Sequence, residues 1–117
     1  QLRAIIERDG VIGSSFDCWM LYPGWTIENP GNGVVSLNTI VDHMDHICQL
    51  AGNARHVAIG SDLDGGFGGE QSPHDLDTIA DEQKFASLLA DRGYSVADIA
   101  DILHGNWLRL LRQAWGD

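Results

Sequence analysis

The chain has 117 residues, 44% of them hydrophobic and 21% charged, with 14 Gly and 4 Trp, a balance that excludes disorder and collagen. Seventeen acidic residues against seven basic ones give a formal charge of −10, which repels a polyanion and sets nucleic acid aside. No apolar run approaches the roughly 20 residues of a membrane span, and no apolar signal core follows Gln1-Leu2-Arg3, so a soluble, cytoplasmic chain is expected.

Leu2, Ile5 and Ile6 stand at helical spacing, so residues 2–8 read as a helix closed by Asp9-Gly10, the glycine supplying a left-handed turn. Because the chain starts without Met and in mid-helix, it is expected to be a piece of something longer. Residues 11–16, Val-Ile-Gly-Ser-Ser-Phe, suit a short strand buried on both faces. Asp17 to Ser36 then reads as a long loop rich in Gly and Pro, with Trp19, Tyr22 and Trp25 either walling a ligand pocket or packing beneath the loop.

The clearest helix is 37–51, where Ile40, Val41, Met44, Ile47, Cys48 and Ala51 share one stripe. Ser36 or Asn38 can cap its start, and Gly52 closes it. A second strand, 56–62, repeats the first design and also ends in a carboxylate. The glycines from Gly65 to Gly69 match neither phosphate-binding pattern and predict mobile backbone. A helix at about 76–92 follows, then a helix opened by Ser95 and Asp98 as a capping box, with a break or kink at Gly105-Asn106.

Two such strands around one helix are parallel neighbours joined by a crossover. They do not make a complete α/β domain. A buried parallel strand needs further strands beside it, so residues 1–117 are expected to be the last two βα units of a larger sheet or barrel.

Chemistry in α/β architectures gathers where strands end at their carboxyl termini. Asp17 follows the first strand, Asp62 ends the second, and Asp64 lies just beyond. Each can take a proton from water or anchor a substrate ammonium, or can simply close its own turn. His43 and His46 are three apart rather than four and read as helix surface. Cys18 and Cys48 form no metal-ligand pattern and read as buried apolar groups.

The run from His56 to Gly66, the Val41-Asp42-His43-Met44-Asp45-His46-Ile47 helix and the Gly105-Asn106-Trp107-Leu108-Arg109 tail together resemble the membrane dipeptidase (renal dipeptidase) family of zinc peptidases. The resemblance covers nearly the whole chain. It implies strands seven and eight of a (β/α)₈, TIM-like, metal-dependent hydrolase barrel, followed by C-terminal helices. It also implies two zinc ions held by residues upstream, so that no metal ligand is expected in this chain. Asp62 matches the family's strand-eight aspartate, implying a role as proton acceptor and as partner of a dipeptide's amino group. Asp17, Tyr22 and Trp25 are the further candidates for substrate binding. Ser15-Phe16-Asp17 departs from the family's usual Asn-Phe-Tyr, which leaves the dipeptide preference open. The rest of the barrel is the expected partner, and a homo-oligomer is left open. Alternatives are another metal-dependent amidohydrolase of the same barrel type or a ligand-binding relative without catalysis.

Overall fold

In the computed structural model, which describes residues 1–116, two short strands lie side by side and parallel: β1, Ile12–Ser15, and β2, Val57–Ser61. They are connected through α2, Cys18–Leu21, and α3, Leu37–Ala51, and preceded by α1, Leu2–Glu7. After β2 the chain forms α4, Lys84–Asp91, α5, Val96–Ala100, and α6, Asn106–Trp115. The result is a mixed α/β fold.

α3 is helical for the reason its sequence gives. Leu37, Ile40, Val41, Met44, Ile47 and Cys48 are buried along one stripe, Ser36 is its N-cap, and Gly52 turns left-handed at φ 77° to end it. That stripe meets Phe16, Val57, Phe85, Leu89 and Ile102 in a single core. Phe16 and Phe85 carry rings 5.3 Å apart in a tilted pair, each burial contributing roughly 1.5–3 kcal/mol.

The strand pair has an irregular register. Ile12, Gly13 and Ser14 face Val57, Ala58 and Ile59, but Ser15 faces Ser61, so Gly60 is the extra residue of a bulge. A Cβ on Gly60 would stand 2.9 Å from the carbonyl carbon of Gly13, so only glycine permits this approach. In a parallel ladder alternate residues point their backbone groups to opposite edges. Ile12 donates to His56 O, which leaves the Val57 and Ile59 carbonyls on the outer edge of β2. Side chains of the last helix occupy them: Asn106 Nδ2 donates to Val57 O at 2.8 Å and to Ala54 O at 2.7 Å, and Trp107 Nε1 donates to Ile59 O at 2.8 Å.

Several sequence expectations need correcting. The left-handed residue after α1 is Asp9, at φ 57°, while Gly10 is required by closeness, since a Cβ there would lie 2.7 Å from Ile5 Cγ2. The long loop is not uniform, because Asp17 caps the short α2 and a 3₁₀ turn forms at Asn32–Val34. Residues 76–78 are not helical; a 3₁₀ turn spans Ile79–Gln83, opened by a Thr78–Asp81 capping box, and the α-helix starts only at Lys84. Gly105-Asn106 does not break the last helix either. Asp101–Gly105 is a π turn that runs on into α6, with Gly105 in ordinary helical geometry. Ser95 does cap α5, accepting from the Asp98 amide at 3.1 Å.

Candidate active site

Phe16 donates to Ser61 O at 2.8 Å, so β1 and β2 finish at the same end of the sheet. There Ser61, Asp62 and Asp64 have φ of 45°, 65° and 63°, backbone that side chains with a Cβ adopt at a cost of order 1 kcal/mol or more each. The turn is held by Asp62 N donating to Gly60 O at 2.7 Å and Gly65 N donating to Asp62 O at 3.0 Å. Asp62 is exposed, and among the described residues no side chain or amide donates to its carboxylate. The bulge at Gly60 thus delivers a free carboxylate to the open end of the strands.

Asp17 sits at the end of β1 in a different environment. Only 7% exposed, its Oδ1 accepts from Trp19 N at 2.9 Å and from Gln71 Nε2 at 2.7 Å. Of the aromatic candidates, Trp25 packs beneath its loop, 4% exposed, with Nε1 donating to Gly31 O at 2.7 Å. Tyr22 and Trp19 remain exposed.

The loop after Asp62 is stitched to the loop after β1 and is not free backbone. Asn32 Nδ2 donates to Gly69 O at 2.9 Å and Ser72 O at 3.1 Å, while His74 N donates to Val35 O at 3.0 Å. Asp75 Oδ1 accepts from Leu37 N at 2.9 Å and so serves the start of α3. Gln71, Asn32 and Asp75 are the residues that sequence reasoning missed. Their sole local signal is an amide or carboxylate among small loop residues, which does not name a partner so far along the chain.

Two cavities flank this end. One of about 390 Å³ runs along β1 and is lined by Ile12, Ser14, Met20, Leu21, His43 and Ile47 among others; the buried Ser14 Oγ has no hydrogen-bond partner. The other, of about 380 Å³, lies in the glycine loop against Leu63, Phe67, Leu76 and Ile79. Asp62 lines neither.

Among the described residues no cluster of three or more His, Cys, Asp or Glu side chains could hold a metal ion. The residues of this chain therefore do not fit a metal by themselves. His43 and His46 are exposed on α3, and His56 is buried at the opposite end of β2, its Nδ1 2.9 Å from Gly10 O. Both thiols are buried, and burial, with the Asp17 charge adding to it, pushes Cys18 up to about 11 and likewise raises Cys48, which disfavours the thiolate. No helix among the described residues is long and apolar enough to cross a membrane.

Comparison with known proteins identifies the relatives of this arrangement. The model of the membrane dipeptidase family, peptidase family M19, matches residues 1–115. An uncharacterised dipeptidase of Schizosaccharomyces pombe is 33% identical over 109 residues, which is 93% of this chain and 24% of that protein. Dipeptidase aclJ of Aspergillus oryzae is 34% identical over 110 residues, 94% of this chain and 24% of that protein. This chain thus spans about a quarter of the length of these curated relatives. The crystal structure of the dipeptidase AC, a metallopeptidase of family M19, superposes with a TM-score of 0.81 over 99% of this chain and 32% of that one, at 24% identity, a likeness of fold. The chain belongs to the membrane dipeptidase family, peptidase family M19.

Proposed function

We propose that this chain is the C-terminal portion of a zinc-dependent dipeptidase, with β1 and β2 as the last two strands of a (β/α)₈ barrel and Asp62 as its contribution to catalysis. The observation that carries the reading is the geometry at the end of β2. Strained backbone at Ser61, Asp62 and Asp64 holds an exposed carboxylate without a partner, a costly arrangement that typically persists at sites of function. Family membership supplies the reaction class. Asp62 accepts the proton of the attacking water and pairs with the ammonium of the dipeptide, two tasks suited to an ionised carboxylate at one place.

In this reading zinc is held by upstream residues, where it would supply the activated water. A two-stranded parallel sheet supports the barrel assignment through β1, whose outer edge a longer protein would pair, while Asn106 and Trp107 take the Val57 and Ile59 carbonyls at the edge of β2. Exposed Ile5, Met20, Leu108 and Trp115 are apolar surface of the kind covered by neighbouring structure. Tyr22, exposed beside β1, remains a substrate contact in this reading, whereas the buried Trp25 supports the loop that carries it.

The test is Asp62→Asn in the intact protein of which this chain is a part. Folding and metal content should match the parent, because Asn tolerates the same left-handed backbone, while dipeptide turnover falls by roughly two to four orders of magnitude. Undiminished turnover would remove Asp62 from the mechanism. Hydrolysis of N-acyl amino acids without any dipeptide turnover would move the protein to a different amidohydrolase activity.

A further inference from the structure

We propose that Asp17 and Gln71 form a positioning clamp that fixes the glycine loop behind Asp62, with Asp17 acting as a hydrogen-bond acceptor and not through its charge on substrate. This deepens the dipeptidase reading and rests on it. Gln71 belongs to a compact unit: Gln71 N donates to Gly68 O at 3.1 Å, Ser72 N to Gly69 O at 3.3 Å, and Gly68 N to Glu70 Oε1 at 3.1 Å. A unit this closely bonded to itself moves as one piece, so its outside attachments decide where it sits.

Those attachments converge from the other strand's loop. Gln71 Nε2 reaches Asp17 Oδ1 at 2.7 Å across 54 residues of sequence, and Asn32 Nδ2 bridges Gly69 O and Ser72 O. Asp17 is itself buried and bonded as the N-cap of α2 through Trp19 N. Among the described residues both of its donors are neutral amides, the Trp19 backbone and the Gln71 side chain, and no ion pair involves it. Five residues separate Gly65, which closes the Asp62 turn, from Gln71. Fixing Gln71 therefore restricts the swing of the segment that sets the Asp62 backbone at φ 65°. Without the clamp the strained turn has a route to relax, and its carboxylate leaves the orientation the reaction needs.

The experiment compares Gln71→Ala, Asp17→Ala and Asp17→Asn in the intact protein, reading amide exchange of residues 63–72 in the resting state and kcat and KM with a dipeptide. Gln71→Ala should speed exchange in that segment and lower kcat, each up to roughly tenfold for the loss of one hydrogen bond, with KM changed less. Asp17→Asn keeps an oxygen for both donors and should restore both readouts, whereas Asp17→Ala should not. Exchange unaffected by Gln71→Ala, or Asp17→Asn as impaired as Asp17→Ala in turnover, would overturn the proposal. Exchange requires no turnover, so an error in the dipeptidase reading shows with Asp62→Asn while an error in the clamp shows in the exchange of residues 63–72.

Discussion

An aspartate at each end of the strand pair adopts left-handed backbone, Asp9 at one and Asp62 at the other, but among the described residues only Asp9 of the two has ion-pair partners. At the amino-terminal end Arg55 grips both oxygens of Asp9 at 2.9 and 3.0 Å, Arg109 adds a contact to Asp9 at 3.1 Å although its buried Nε has no partner, and His56 and Asn106 bind backbone carbonyls. At the carboxyl-terminal end, Asp62 is unpaired and three neighbouring residues adopt left-handed backbone. Under the proposed role of Asp62, the difference separates the end that ties the strands together from the end that would carry the chemistry, the division α/β barrels use. A group already satisfied in the resting protein has little left to offer a substrate.

The comparison can be broken first by exchange between its ends. Asp62→Asn should cost activity by the orders of magnitude given above and leave the unfolding midpoint of the intact protein unmoved. Asn106→Ala should do the reverse. It strands the Ala54 and Val57 carbonyls in the interior, costing roughly 2–4 kcal/mol in denaturant unfolding, while the specific activity of the folded fraction stays at the parent value. A stable Asn106→Ala protein would mean that these carbonyls find other partners.

Acid titration sharpens the same contrast. The Arg55 guanidinium, with Arg109 adding to it, holds the Asp9 carboxyl at about 2, below its ordinary 3.8. Because the folded value lies beneath the unfolded one, the stability Asp9 contributes is present above about pH 4 and is lost as pH falls towards 2. Asp9→Asn should flatten the unfolding curve in that window, and an unaltered pH dependence would show that the ion pair is too solvent-screened to matter.

The smallest effect belongs to the strained end. Ser61→Gly removes the penalty of a side chain at φ 45° and should raise stability by at most about 1 kcal/mol. A loss of stability would show that the Ser61 conformation carries no strain to relieve.

Much of the framework can be read along the chain. α3 announces itself because its apolar stripe, its Ser36 cap and its Gly52 stop all agree, and both strands are short apolar runs ending near aspartate. The start of α4 is harder, since Ile79, read with the buried Phe85 and Leu89 as the apolar signal of one helix, is 72% exposed and opens a 3₁₀ turn in place of the α-helix. The Gly105-Asn106 pair looks like a stop, but the buried Asn106 is recruited to the edge of β2 and the helix continues through it. Asp17 and Asp62 look alike in sequence, each at a strand end.

Sequence alone determined the family, the parallel strand–helix–strand order and the placement of two carboxylates at one end of the sheet, because apolar periodicity and turn-forming residues are local properties. Tertiary structure decided which carboxylate is free. Asp17 is consumed by an amide arriving from 54 positions away and Asp62 is turned outward by a bulge against the neighbouring strand. Both outcomes depend on which distant groups meet in space, and no local pattern encodes that.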